Sequence, residues 1–137
     1  MDKVRELDWE RDKQLVHDIC YQSGSAVTKK SYTFIGSMMH FGVKSMSEVV
    51  NDEGFYFVTR GRTHCRLIEI AFKKESQGKG LGKALLNRLL TRMKCENIKK
   101  LTFRTPIAEN AKDFWLHMGA EITGINGNDF EMEINIK

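Results

Sequence analysis

The sequence predicts a single α/β domain over residues 1–137, in which helices pack on a mixed sheet. Three observations predict this class. The length of 137 residues is close to the commonest size of one domain. The middle of the chain alternates β-forming runs with turn residues, which is typical of an antiparallel meander. Residues 66–105 then hold a strand, a leucine-rich helix and a second strand, and such a βαβ unit has parallel strands and a right-handed crossover.

The first half of the chain is predicted to form two helices and four strands. VRELDW is a short strand, and Asp8 caps a helix that QSGSAVTKKS (22–31) ends. A second helix covers 32–43, and strands follow over 46–50, 55–60 and 64–72, separated by the turn sequences NDEG and GRT. The apolar residues of the first helix recur at helical spacing: Leu15, Val16, Ile19 and Cys20.

The second half is predicted to continue with two helices, a strand and a hairpin. An amphipathic helix covers about 80–96, and a strand over 99–105 is closed by Pro106. A helix over 108–118 ends at Gly119. AEITGI and FEMEINIK form a hairpin around the turn sequence NGND. This order of elements predicts a mixed sheet with helices packed on it.

Composition favours a globular cytoplasmic protein. Charged residues are 29% and hydrophobic residues 41% of the chain, which is ordinary for that class. The N-terminus is charged, and no apolar run approaches the ~20 residues of a membrane span, so neither a signal peptide nor a membrane partner is expected. The three cysteines form no CxxC pair, which predicts neither disulfides nor a metal site. The net charge is +4, but the basic residues are scattered along the chain, so a nucleic-acid partner is not expected.

The stretch SQGKGLGKALL (76–86) has the composition of a phosphate-binding loop. A helix N-terminus presents unpaired backbone N–H groups, and glycines leave the approach to them open. Lys79 and Lys83 would add positive charge. A Walker A loop is excluded because Ala84 stands where Ser or Thr is needed, and a dinucleotide GxGxxG would need glycine at position 83. The loop is therefore predicted to hold a pyrophosphate of another kind.

The remaining pattern, Gln77-x-x-Gly80-x-Gly82, resembles the (Arg/Gln)-x-x-Gly-x-(Gly/Ala) motif of the GNAT superfamily of acetyl-CoA-dependent N-acetyltransferases. The context agrees, because the loop follows the strand IEIAF and opens a leucine-rich helix. NAKDFWLHMGA is similar to the family's second motif, Ala-x-x-(Phe/Leu)-Tyr-x-x-x-Gly-Phe, with Trp115 in place of Tyr and Ala120 in place of Phe. The resemblance covers about 66–120.

The resemblance implies a GNAT-like fold: a mostly antiparallel sheet with helices on both faces, and parallel strands over 66–72 and 100–105 that splay apart around acetyl-CoA. The backbone of 71–73 would face pantetheine, and the N–H groups of 77–82 would hold the pyrophosphate. A solvated helix face is the alternative for Lys83. The implied CoA-binding residues are Ala71, Phe72, Lys73, Gln77, Gly78, Lys79, Gly80, Leu81, Gly82, Lys83 and Trp115.

The resemblance also implies direct attack of a primary amine on the thioester, which needs a general base. Glu69 is the candidate, because it is a carboxylate within the apolar strand LIEIAF, where burial would raise its pKa. An exposed position or a pair with arginine is the alternative. The weaker candidates are His17, His40, His64 and His117. No nucleophilic thiol is needed, so Cys65 and Cys95 are predicted to be buried structural thiols.

Trp115 leaves the general acid unassigned, because an indole N–H is a hydrogen-bond donor and not an acid. It is predicted to fill the core or a pocket wall. Two hypotheses therefore stand: an active N-acetyltransferase, and a non-catalytic acyl-CoA-binding module; a nucleic-acid-binding domain ranks below both. The expected partners are CoA and a small-molecule or peptide amine, and a homodimer is compatible with the resemblance. The Met-rich stretch 34–41 is read as core, with a wall of the acceptor site as the alternative.

Overall fold

The computed structural model describes residues 3–22 and 26–137, which form one seven-stranded sheet and its covering helices. Strands lie side by side in the order β1-β2-β3-β4-β5-β7-β6. The strands are β1 (Val4–Glu6), β2 (Ser45–Val50), β3 (Gly54–Arg60), β4 (His64–Phe72), β5 (Lys100–Pro106), β6 (Glu121–Asn126) and β7 (Asp129–Asn135). The α-helices are α1 (Trp9–Gln22), α2 (Ala26–His40), α3 (Leu81–Cys95) and α4 (Ala111–His117), and a short 3-10 helix spans Lys74–Ser76.

The predicted mixed sheet is confirmed, since all its pairs are antiparallel except the parallel pair β4–β5. The predicted starts of two helices were wrong: α4 begins at Ala111 and not at 108, and α2 begins at Ala26 and not at 32. Residues 26–31 belong to α2 and not to a break, while 23–25 lie outside the described residues. The physical reason is that Thr28, Ser31 and Ile35 are all buried at helical spacing, so polar residues begin the inner face of α2. The apolar pattern alone starts one turn later.

Helices cover both faces of the sheet and create two cores, as the family resemblance implied. On one face, α1 and α2 bury a cluster that includes Val16, Ile19, Ile35, Phe55 and Phe57. On the other face, α3 and α4 bury a larger cluster that includes Leu85, Leu86, Leu89, Phe103 and Trp115. Within the described ranges, no helix is long and apolar enough to cross a bilayer.

Strand β4 carries a bulge that changes which side chains face which layer. Phe57 pairs with Glu69 and Val58 with Leu67, so Ile68 is an extra residue on β4. Leu67, before the bulge, and Ile70, after it, both pack in the α3/α4 core. Residues on one face of a regular strand are two positions apart, so the bulge has shifted the inward-facing positions by one residue. Ile68 and Ala71 pack on the α1/α2 side. The bulge therefore directs Glu69 toward α2, consistent with the frequent occurrence of bulges beside active sites.

The parallel strands β4 and β5 separate soon after they pair. The two strands pair only from His64, opposite Lys100, to Arg66, opposite Thr102. Both strands continue past this point, β4 to Phe72 and β5 to Pro106. The predicted splay is thus present, and it leaves backbone groups of each strand facing the gap between them.

A buried ionic network fixes α3 to the sheet. The Glu48 carboxylate on β2 is 5% exposed and accepts hydrogen bonds from the Tyr56 hydroxyl at 2.6 Å and from Arg88 Nε and Nη2 at 3.1 Å each. Arg92 Nη1 donates to the Tyr56 oxygen at 3.3 Å. Burial alone would raise the pKa of Glu48, but the hydrogen bonds from Arg88 and Tyr56 outweigh it, and the pKa is lowered. Helix α3 is therefore held firmly along its middle.

We expect Glu48→Gln to reduce the free energy of unfolding by about 1–3 kcal/mol at pH 7, toward the lower end because Arg88 is half exposed. Since the pKa of Glu48 is lowered on folding from its ordinary 4.5, this stabilisation is present above that value and is lost as pH falls through the folded pKa. Urea unfolding at pH 7 and pH 3 would measure the difference, with the exposed Glu10→Gln as the control. An equal loss at both pH values would contradict the assignment.

Candidate active site

The gap between β4 and β5 forms a cleft of about 160 Å³. Its walls come from both strands, from the loop after β5 and from the start of α4. Residues on these walls include Glu69, Ile70, Phe103, Thr105, Glu109 and Trp115. The splay thus brings together the sequence-predicted base and Trp115, which lie far apart in the sequence.

A larger groove of about 500 Å³ adjoins the cleft on the α2 side of the sheet. Leu67, Ile68, Arg104 and Pro106 line both spaces, so the two are continuous. The groove is also lined by Lys30, Ser31 and the exposed ring of Phe34, which is 57% accessible. Phe34 therefore contributes to a groove wall.

Glu69 is half buried at the meeting point of these two spaces. Its Oε2 accepts a hydrogen bond from Ser31 Oγ at 2.8 Å, and its Oε1 accepts one from the Ile70 N–H at 3.2 Å. Burial raises its pKa from 4.5 to about 7, although both hydrogen bonds act in the opposite direction, and the nearby Glu109 adds to the rise. This rise has the direction and the cause that the sequence predicted. The alternative pair with an arginine is not seen among the described ion pairs.

The glycine loop has the geometry of an open anion cradle. Gly78 and Gly80 have φ of 78° and 75°, in the left-handed region that favours glycine, and Gly80 is the N-cap of α3. A Cβ on Gly78, Gly80 or Gly82 would meet nothing within 4 Å of the described residues, so the glycines leave free space in front of the helix. Gln77 Nε2 donates to the Phe72 carbonyl at 3.2 Å and thereby closes the loop onto the end of β4.

The charge around the cradle is positive. The first turn of α3 contains no acidic residue, and no side chain of the described residues caps it. Lys79 and Lys83 are exposed beside the loop, and neither belongs to an ion pair of the described chain. The Lys73 N–H donates to the Glu53 carbonyl at 2.7 Å, so this backbone donor is already used within the fold. The N-terminus of α3 can therefore receive an anion without displacing a protein group.

Trp115 fills the core and at the same time forms a wall of the cleft. Its side chain is 7% exposed, and its ring lies 4.2 Å from the ring of Phe103, centroid to centroid. No described tyrosine lines the cleft, since Tyr56 is bound to Glu48, while Tyr21 and Tyr32 cluster with His17. Both sequence interpretations of Trp115, core and pocket wall, describe its position.

The remaining candidates lie elsewhere. His17 stacks on Tyr21, and His40, His64 and His117 are exposed outside the lining of the cleft and the groove. Cys65 is buried as predicted, but the prediction for Cys95 was wrong: it is exposed, because Met93 takes the inward position in the last turn of α3. Within the described ranges, no cluster of three or more His, Cys, Asp or Glu could hold a metal ion.

Ser31 and Glu109 are site residues that the sequence did not single out. Ser31 falls in the segment expected to break the first helix, so its inward position was hidden by the wrong boundary of α2. Glu109 lies in the loop before α4, where the sequence predicted helix from residue 108. A helical spacing of small polar residues, at 28 and 31, was the available signal for Ser31.

The structure thus combines a splayed parallel pair of strands, an open glycine cradle and a half-buried carboxylate in the cleft. The model of the acetyltransferase (GNAT) family matches residues 5–120. The chain belongs to the GNAT acetyltransferase family. No curated protein sequence matches the chain.

Solved structures similar to this one share its fold at low identity. The PaiA N-acetyltransferase of Thermoplasma acidophilum, in complex with coenzyme A, has a TM-score of 0.80 at 17% identity, with 97% of this chain and 98% of that chain covered. The ribosomal-protein-S18-alanine N-acetyltransferase of Escherichia coli has a TM-score of 0.79 at 17% identity, with 100% and 95% covered. The aminoglycoside 6'-N-acetyltransferase of Enterococcus faecium has a TM-score of 0.77 at 15% identity, with 98% and 97% covered.

Proposed function

We propose that this protein is an N-acetyltransferase that transfers the acetyl group of acetyl-CoA to a primary amine by direct attack in a ternary complex. The observation that carries the proposal is Glu69: a carboxyl with a pKa of about 7 lies in the cleft that opens between β4 and β5. A general base works best when its pKa is near the working pH. An amine, the thioester of acetyl-CoA and a base in one cleft suffice for direct acyl transfer, without a covalent intermediate on the protein.

The cradle is the proposed site of the CoA pyrophosphate. The N–H groups of residues 78–82 would donate hydrogen bonds to it, with Gly78, Gly80 and Gly82 keeping the approach free and Lys79 and Lys83 adding charge. The Gln77 N–H, which the prediction from sequence included, already donates to the Lys74 carbonyl at 3.3 Å. The edge of β4 that faces the gap, near Ala71 and Phe72, would line the pantetheine arm, and Trp115 would form the wall beside the thioester. Acetyl-CoA supplies the thioester carbonyl that the amine attacks.

Glu69 would take the proton that the amine must lose. The amine attacks the carbonyl in its neutral form; as the new N–C bond forms and the C–S bond breaks, Glu69 accepts the proton that the attacking nitrogen then carries in excess, directly or through one water molecule. The leaving thiolate takes a proton from water, because the indole of Trp115 donates a hydrogen bond and not a proton. The adjoining groove, with Phe34 and Lys30 on its wall, is where the acceptor amine would enter.

The acceptor is a small-molecule or peptide amine in this proposal, and the reaction is placed in the cytoplasm. Cys20, Cys65 and Cys95 form no disulfide among the described residues, which fits a reducing compartment. One observation favours a second function, a non-catalytic acyl-CoA-binding module. Trp115 stands buried where the family motif has a tyrosine, so the site lacks that ionisable group.

Calorimetry and thermal shift with CoA, followed by thiol release from acetyl-CoA over a panel of amines, would test the proposal. Binding to the folded state should stabilise it by about 2.7 kcal/mol when the CoA concentration is 100 times Kd. Thiol release that depends on an added amine is the expected result. Absence of stabilisation by CoA would overturn both functions, whereas binding without turnover on any amine would leave the binding module.

A further inference from the structure

Ser31 on α2 connects the acceptor-side groove to the carboxylate in the cleft. Its side chain is 8% exposed, and its Oγ donates a hydrogen bond to Glu69 Oε2 at 2.8 Å across 38 positions of sequence. Ser31 lines the groove, while Glu69 lines the cleft, so this bond lies on the border between the two spaces. The β4 bulge makes the contact, because it directs Glu69 toward α2.

The other groups around Glu69 cannot replace this contact. The Ile70 N–H donates to Oε1 from the same strand, and Glu109, in the loop after β5, repels the carboxylate. Cys20 of α1 lies near Glu69, but burial followed by the Glu69 charge raises the pKa of its thiol to about 12, so it stays a neutral S–H group, which is only a weak hydrogen-bond donor. Arg104 lies on the cleft wall but is bound to Glu131 at 2.7 Å. Among the described residues, Ser31 is thus the only side chain that donates a hydrogen bond to Glu69.

We propose that Ser31 is a positioning residue for the base, because its hydroxyl holds Glu69 Oε2 against α2 and leaves Oε1 to receive the proton of the acceptor amine. This inference rests on the function proposed above. Oε1 has only the backbone N–H of Ile70 as a described partner, so one of its lone pairs is available. Ser31 itself touches no reacting atom; it acts through Glu69.

The sign of the electrostatic effect follows from the donor. A hydroxyl that donates to a carboxylate stabilises the ionised form, so Ser31 lowers the pKa of Glu69 from the value that burial alone would set. Removal of the hydroxyl should therefore leave Glu69 protonated to higher pH. Activity should fall most at neutral pH and recover at high pH, whereas a purely structural defect would lower activity at every pH.

The test compares Ser31→Ala with Ser31→Thr and with Ser37→Ala, which makes the same change at an exposed position of the same helix. We expect Ser31→Ala to move the acidic limb of the kcat/KM profile upward by about one pH unit, the typical effect of one charge-assisted hydrogen bond. Thr restores the hydroxyl and should restore the profile. CoA affinity should be unchanged in all three variants. A Ser31→Ala profile that coincides with that of the parent would overturn the proposal.

A second readout does not depend on turnover. Carboxyl titration by NMR of protein labelled with 13C at glutamate, with Glu69→Gln to assign the signal, should give a midpoint of about 7 for Glu69 and a higher one in Ser31→Ala. If the protein acetylates an amine but the titration midpoint of Glu69 is the same in Ser31→Ala as in the parent, the role of Ser31 is overturned and the proposed function is not. A moved midpoint in a protein that acetylates no amine would overturn the proposed function, and with it the catalytic meaning of the bond.

Discussion

Gly80→Glu is expected to abolish CoA binding while the domain remains folded. Gly80 is the N-cap of α3, and the space in front of it is open, so a glutamate side chain would project into the cradle without a steric clash in the fold. Its carboxylate would lie at the helix N-terminus, where it would neutralise the partial positive charge, and it would repel a phosphate. Both effects act against an anionic ligand, and neither depends on the acceptor.

The backbone strain of this substitution needs its own control. Gly80 has φ of 75°, where a residue with a Cβ loses roughly 1–2 kcal/mol. Gly42→Glu introduces the same residue at φ of 69°, also in open space. Gly42 precedes β2, whose first residue, Ser45, pairs with Thr59, so it lies at the end of the sheet opposite to the cradle. Gly80→Asn adds bulk without charge in a residue that tolerates this conformation.

Isothermal calorimetry with CoA, together with thermal melts of each variant, would measure both properties. Loss of binding in Gly80→Glu, with normal binding in Gly42→Glu, is the expected pair of results. Gly80→Asn should bind more weakly than the parent and more tightly than Gly80→Glu. Full CoA affinity in Gly80→Glu would remove the cradle assignment.

Glu69→Gln is expected to lower turnover by about 10²–10⁴-fold, the usual contribution of a general base. The parent activity should rise with pH through about 7, because Glu69 must be ionised to accept a proton. That limb should be missing from the variant. CoA affinity should not change, because Glu69 lies in the cleft and not at the cradle.

Stability distinguishes loss of the base from loss of the fold. The pKa of Glu69 is raised on folding from 4.5 to about 7, so the folded state binds the proton more tightly and ionisation opposes folding as pH rises across that interval. Glutamine removes this cost and can still bond to Ser31 and to the Ile70 N–H. The variant should therefore be at least as stable as the parent at pH 8. The exposed Glu121→Gln provides the control for turnover, and an unchanged pH profile in Glu69→Gln would rule out this base.

Most of the fold follows from local patterns. The turn sequences NDEG and GRT, the alternating β-formers between them and the leucine spacing of α3 are each properties of a few neighbouring residues, and each predicted the right element. The start of α2 did not follow, because Thr28 and Ser31 are polar in sequence and buried in the fold. Their burial depends on contacts with β4, which no local pattern contains.

Some residues of the candidate site could be predicted from local sequence, and others could not. The cradle is a continuous stretch, so the positions of Gly78, Gly80 and Gly82 could be anticipated from spacing and glycine chemistry. Glu69 could be anticipated as a carboxylate in an apolar strand. Its partner Ser31 could not, since the pair depends on where the bulge falls and on the true start of α2. The face to which Glu69 points is likewise invisible in LIEIAF, because this nearly continuous apolar run does not show where the backbone shifts by one residue.

The bulge at Ile68 has a consequence for how this strand can be compared with others. Two strands matched by hydrophobic alternation alone will be in phase on one side of residue 68 and out of phase on the other. A carboxylate one position away in such a match would point among the leucines of α3 instead of toward α2. Equivalence of acidic residues between this protein and any relative therefore has to be judged from the backbone register of β3 and β4, because a count of residues along the strand would match Glu69 with a side chain on the opposite face.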